Sequence, residues 1–209
     1  MDYSEEAINS YLLWQLCKQR GIQEMIIQAR PEKGLRKVVE EVKAEYRSKN
    51  YSRSEKIEML WELDDNPEHR SEIFEDCSWS KETVKVEDLG TTLPHAMGLP
   101  PEVISGSLPD VIDFVRSADP EKYRSVKYIE ALKEVHEILD EFAPWIVHPG
   151  KVIRKRERMN REHGEKDWEI DNTWGAINDG NHRTIARIMA NDLKEIECYV
   201  GRPETLQQH

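Results

Sequence analysis

The spacing of hydrophobic residues divides this chain into a helical first third and a mixed remainder. In the first third, apolar residues recur every three or four positions, which predicts amphipathic helices with one buried face. Ser52 and Glu55 fit a capping box at the start of the last of these helices. The residues predicted to face inward are Ile8, Leu12, Leu13, Leu16, Cys17, Leu35, Val38, Val39, Val42, Tyr46, Ile57, Leu60 and Trp61.

Beyond about residue 79 the pattern gains the two-residue alternation and short apolar runs of β-strands. The predicted strands are residues 83–87, 144–147, 174–177 and 196–200, and the helices between them cover residues 108–115, 129–139 and 184–190. Residues 90–106 are rich in Gly and Pro and predict an irregular loop. The predicted fold is therefore α+β (mixed α/β), with an α-helical N-terminal extension over residues 1–78 and a sheet domain over residues 79–209.

Composition narrows the class of protein. The chain has 209 residues and a net charge of −11, which argues against binding nucleic acid over its whole surface. No segment approaches the roughly 20 apolar residues of a membrane helix, and the acidic N-terminus does not resemble a signal peptide. The three cysteines lie far apart, and the histidines lack metal-ligand spacing. We therefore expect a cytoplasmic protein with reduced thiols, no membrane partner and no metal site built from its own residues.

One basic segment, residues 151–166, stands out in this acidic chain. Its cations include Arg154, Lys155, Arg156 and Arg158. They could contact a nucleic-acid backbone or neutralise nucleotide phosphates. Because glutamates are interleaved with them, we favour a solvated helix or loop face over nucleic-acid binding.

The strongest candidate site is the turn between the strand at 174–177 and the helix that follows it. The first backbone N–H groups of a helix have no intrahelical partner, and the helix dipole adds positive charge there. A glycine in the turn allows a positive φ, and arginine can bind phosphate bidentately. The predicted phosphate-binding residues are Gly180, Asn181, His182, Arg183 and Thr184.

Two residues of the turn also have catalytic chemistry. His182 can act as an acid or base near neutral pH, and Asp179 can orient a hydroxyl, hold His182 or Arg183, or help to bind a metal. An alternative interpretation is purely structural: Asp-Gly is a common turn before a helix, and Arg183 can pair with a nearby carboxylate.

The segment WGAINDGNHRTIAR (residues 174–187), followed by IECYV (residues 196–200), resembles the core of the ParB/sulfiredoxin superfamily. In that superfamily a strand ends in Asp-Gly-x-His-Arg or a related turn, and the next helix starts at the phosphates of a bound nucleotide. Residues 83–89 resemble the family's opening strand, and residues 144–147 its next core strand. The resemblance implies a ParB/sulfiredoxin-like domain that binds a nucleotide.

The superfamily contains several chemistries, so membership alone does not define the function. The residues of the turn differ between its subfamilies and can be compared with each. Sulfiredoxins need a cysteine where this chain has Asn181, which argues against that activity. The archaeal free-serine kinases are nearest in motif. Their resemblance implies ATP or ADP with Mg²⁺ as cofactors and phosphoryl transfer to a small hydroxyl-bearing acceptor. Asp179 and His182 would then be catalytic, together with Glu87 or Asp88 after the opening strand. The alternative is a non-catalytic ParB-like module that binds nucleotide or DNA.

Overall fold

The computed structural model describes residues 3–29, 32–63, 74–75, 77–91, 107–142, 144–147 and 175–203. Its first third is helical, as the sequence predicts, with α1 (Ser4–Gln19), α2 (Ile22–Ile27), α3 (Glu32–Lys49) and α4 (Arg53–Leu63). The predicted capping box at the start of α4 is confirmed. The Ser52 backbone N–H donates to Glu55 Oε2 at 2.7 Å, and the Glu55 N–H donates to Ser52 Oγ at 3.3 Å.

The later part of the chain forms a five-stranded mixed sheet. Its strands are β1 (Cys77–Lys85), β2 (Leu89–Thr91), β3 (Trp145–Val147), β4 (Gly175–Asp179) and β5 (Glu195–Pro203). The spatial order is β1-β5-β3-β4-β2. The β1/β5 and β3/β4 pairs are antiparallel, and the β5/β3 and β4/β2 pairs are parallel. The mixture of helices with this sheet confirms the α+β class.

Four further helices accompany the sheet in the described residues: α5 (Leu108–Ser117), α6 (Arg124–Lys133), α7 (His136–Leu139) and α8 (Asn181–Asn191). The prediction of one helix over residues 129–139 is wrong, because the chain turns between α6 and α7. His136 Nδ1 lies 2.9 Å from the Lys133 carbonyl oxygen, an acceptor that a continuous helix would give to a backbone N–H four residues later. Across the described part of the chain, no helix is both long and apolar enough to cross a membrane.

The N-terminal helices and the sheet share their hydrophobic core. Trp14 of α1 belongs to the same cluster of buried residues as Ile185 of α8 and the inner strands. Ile8, also on α1, packs in a second cluster with Trp79 of β1. Residues from both sides of the expected boundary at 78/79 are therefore packed together in the described structure.

The inward face of α4 differs from the predicted one. Leu60 is fully buried, but Trp61 is 48% exposed, so its assignment to the core was wrong. Lys56 is buried instead, and its ammonium group pairs with Glu5 of α1. Helical spacing allows either the face with Trp61 or the face with Lys56 to turn inward. Helix α4 turns the Lys56 face toward α1, where the aliphatic part of the side chain is buried and its charge is paired.

Candidate functional site

The predicted strand, turn and helix are present around Gly180. Strand β4 ends at Asp179, Gly180 has φ of 81°, and α8 begins at Asn181. The first intrahelical hydrogen bond runs from the Thr184 N–H to the Gly180 carbonyl at 2.8 Å. The backbone N–H groups of the first turn therefore precede the helical hydrogen-bond ladder, as anion binding at a helix start requires.

Glycine is required at position 180 for two reasons. Its left-handed φ is one that residues with a side chain rarely adopt. A Cβ atom there would also lie 2.8 Å from Nη2 of Arg183, closer than real Cβ contacts. The guanidinium of Arg183 thus lies directly against the turn backbone.

Arg183 points into the protein beneath the turn, against buried aromatic residues. Its side chain is 4% exposed, and Nη2 donates to Asp179 Oδ2 at 3.0 Å. The guanidinium carbon lies 4.4 Å from the ring centroid of Trp14 and 5.8 Å from that of Phe142. Burial lowers the pKa of Arg183, against the opposing effect of Asp179. Direct contact with a phosphate would require this side chain to leave both its carboxylate and its aromatic neighbours.

Two nitrogens of Arg183, Nε and Nη1, are buried without a hydrogen-bond partner among the residues that the structure describes. The hydroxyl group of Thr184, a residue that is 2% exposed, also has no hydrogen-bond partner among the described residues. Buried polar groups are normally hydrogen-bonded, so these buried groups without partners make the region beneath the start of α8 unusually polar. Asn181 is half-buried at the first position of α8.

A cavity of about 220 Å³ opens beside His182. It is lined by residues from three helices: Gln23, Glu24 and Ile27 of α2; Arg124, Ser125 and Tyr128 of α6; and His182 of α8. The His182 and Tyr128 rings lie 5.6 Å apart between centroids, tilted by 59°. Both α6 and α8 begin at this cavity, so the positive ends of two helix dipoles meet there.

The cavity is lined by charges of both signs. Arg124 and Glu24 are exposed, and neither forms a hydrogen bond or ion pair with another side chain of the described ranges. The Tyr128 hydroxyl is buried next to Gln23, without a hydrogen bond of standard geometry in those same ranges. Burial raises the pKa of Tyr128 to about 12, so its hydroxyl remains a donor at neutral pH.

The structure does not bring Glu87 or Asp88 to the turn. Both lie in a 3₁₀ turn, Val86–Asp88, which precedes β2 at the opposite end of the sheet from Asp179. Glu87 pairs with Lys85 at 3.3 Å and lines a different cavity beside the C-terminal end of α8. Helix α8 has eleven residues and spans about 16 Å. Because Glu87 lies beside its last residues and His182 lies in its first turn, most of that length separates the two.

Other expected ligands and partners have less structural support. No three His, Cys, Asp or Glu side chains come together to hold a metal ion within the described ranges. The basic residues Arg154, Lys155, Arg156 and Arg158 lie outside those ranges. Nucleic-acid binding through them therefore stays a prediction from the sequence.

No family model matches this chain, and no curated protein or solved structure is significantly similar to it. The resemblance to the ParB/sulfiredoxin superfamily consequently rests on the sequence of the turn and its flanking strands. The site is argued below from its own geometry.

Sequence reasoning missed the part of the site contributed by α2 and α6. Glu24 lies 100 residues before Arg124, and Tyr128 lies 54 residues before His182, so no local motif connects the three helices. They come together because α6 packs against both α2 and α8. The sequence offered no signal for this arrangement: the helix predicted here covered residues 129–139, and the structure starts α6 at Arg124.

Proposed function

We propose that this protein binds the phosphates of a nucleotide at the start of α8, in the manner of a ParB-like module. The observation that carries the proposal is that α6 and α8 both begin at one cavity, with Arg124 and His182 in its lining. Each helix start provides N–H donors and partial positive charge to an anion there.

The donors of the cavity fit a phosphate. Arg124 has no carboxylate partner in the described residues, so it can give its full fork of donors to a ligand. The polar side chains of His182 and Ser125 line the same space. In this arrangement Arg183 acts as a positioning residue, because it holds Asp179 and the turn backbone from beneath.

The geometry favours binding without catalysis over phosphoryl transfer. Transfer to a hydroxyl needs a carboxylate positioned to orient or deprotonate the acceptor. Asp179 is already engaged by Arg183, and Glu87 lies at the far end of α8. The described residues contain no group of three His, Cys, Asp or Glu side chains that could hold a metal ion, and the proposal assigns no metal ligand to the chain.

A thermal-shift panel of nucleoside mono-, di- and triphosphates, with and without magnesium, tests this proposal. A nucleotide present at 100 times its Kd should stabilise the fold by about 2.7 kcal/mol. We expect stabilisation by at least one nucleotide, competition by inorganic pyrophosphate, and no hydrolysis of ATP or ADP above the background rate. If no nucleotide stabilises the protein at millimolar concentration, the proposal is wrong. Hydrolysis of ATP or ADP above the background rate would instead favour phosphoryl transfer as the function.

A further inference from the structure

The cavity beside His182 has an acidic residue that phosphate binding does not use. Glu24 of α2 lines the same space as Arg124 but carries the opposite charge. No side chain within the described ranges neutralises its carboxylate. A carboxylate repels phosphate, so this part of the lining must face a different part of any bound nucleotide.

We infer that Glu24 binds the ribose hydroxyls of the nucleotide, so that the protein prefers ribonucleotides to 2′-deoxyribonucleotides. The inference rests on the proposed function, since it assumes that the phosphates lie at the helix starts. An ionised carboxylate only accepts hydrogen bonds, and its two oxygens can receive both hydroxyls of a vicinal diol. Hydroxyl groups are the donors that a nucleotide offers closest to its phosphates.

The size and lining of the cavity agree with a sugar at this position. Its volume of about 220 Å³ lies below the range of about 300–1,000 Å³ typical of pockets that hold a whole drug-sized ligand. It therefore holds part of a nucleotide, and the base extends beyond it. Ile27 lines the same cavity with 42% of its surface exposed, which provides an apolar surface for a base.

The short helix α2 fixes where the carboxylate lies. Gly21, with φ of 76°, starts α2 directly after α1, and Oε2 of Glu24 lies 3.7 Å from the position of a Cβ at Gly21. Ile22 and Ile26 bury the other face of α2 in the core. The N-terminal part of the chain therefore provides the sugar-selective side of a site whose phosphate side lies on α6 and α8.

Calorimetry with the four ribonucleoside triphosphates and their 2′-deoxy counterparts, compared base by base, tests the inference. The wild-type protein should bind the ribonucleotide about 10-fold more tightly, which corresponds to about 1.4 kcal/mol for one hydrogen bond to a charged group. In Glu24→Ala the ratio of the two affinities should fall to nearly 1, because the ribonucleotide loses the hydrogen bonds of both hydroxyls whereas the deoxyribonucleotide loses only that of its 3′-hydroxyl. Glu58→Gln, which changes an exposed carboxylate on α4, should leave the preference unchanged.

The outcomes separate this inference from the proposed function. Equal binding of ribo- and deoxyribonucleotides by the wild type, or a preference that survives in Glu24→Ala, would overturn the role of Glu24 while leaving phosphate binding intact. No binding of any nucleotide would overturn both.

Discussion

Arg183 and Asp179 form a salt bridge beneath the turn, with 3.0 Å between Nη2 and Oδ2. Their side chains are 4% and 17% exposed, so neither charge is well solvated. Because an unpaired buried charge costs several kcal/mol, each residue depends on the other. The contact joins the last residue of β4 to the first turn of α8, and it therefore holds the start of the helix against the sheet.

Asp179→Ala should lower the free energy of unfolding by about 3–5 kcal/mol, because it leaves the Arg183 guanidinium buried without its carboxylate. Urea denaturation measures the change. Asp113→Ala is the control, since Asp113 forms an exposed pair with Arg116 and should change stability by less than about 1 kcal/mol. Equal effects of the two substitutions would show that the buried pair is not important for the fold.

Gly180→Ala and Gly34→Ala should have opposite effects on stability. Alanine at 180 is strained at φ of 81° by about 1–2 kcal/mol, and its Cβ displaces the Arg183 guanidinium. Alanine at 34 lies in α3, where its Cβ meets Met25 at an ordinary 3.7 Å and no other described residue, and should stabilise the helix by about 0.5–1 kcal/mol. Melting temperatures of the two variants compare these signs directly, and a stabilising Gly180→Ala would contradict the turn geometry.

Trp14 and Trp61 provide a matched pair that tests the shared core. Trp14 is 4% exposed and lies under Arg183, so Trp14→Ala should lower the free energy of unfolding by about 3–5 kcal/mol. Trp61 is 48% exposed, and Trp61→Ala should cost much less. Denaturant titrations measure both values. If α1 were a separable extension, Trp14→Ala would leave the unfolding of the sheet unchanged.

The free energy of unfolding should decrease as the pH rises into the alkaline range. Burial raises the pKa of both Cys17 and Cys198 from 9.0 to about 12. Between about pH 9 and 12 the unfolded chain loses these protons while the native chain keeps them. Each thiol therefore lowers the free energy of unfolding by up to about 1.4 kcal/mol per pH unit, with no such loss below pH 9. Cys198→Ala should reduce the slope measured by denaturation between pH 9 and 11, and a flat profile in the wild type would contradict the burial of the thiols.

The elements that the sequence predicts well are those with local causes. The capping box of α4 and the turn at Gly180 each depend on a few neighbouring residues whose backbone needs are specific. The four-residue spacing of Asp179 and Arg183 also permits the observed pair, but arginine suits a phosphate equally well. Nothing local decides whether its fork faces a ligand or a buried carboxylate.

What the sequence does not predict depends on tertiary packing. Helical spacing allows α4 to bury Trp61 or Lys56, and only its contact with α1 selects Lys56. The position of Glu87 follows from β2 pairing in parallel with β4, which places the 3₁₀ turn before β2 at the end of the sheet away from Asp179. Likewise, the cavity beside His182 exists only because α2, α6 and α8 meet.

The most direct test of the account is the affinity of Arg124→Ala for nucleotide, measured by calorimetry beside Arg116→Ala. Arg124 lies at the start of α6 in the cavity lining, whereas Arg116 lies on α5 near the opposite end of α8. We predict that Arg124→Ala weakens nucleotide binding by about 10- to 100-fold, or about 1.5–3 kcal/mol, and that Arg116→Ala binds as the wild type does. No nucleotide binding by the wild type, or equal affinities of the two variants, would contradict a phosphate site at this cavity.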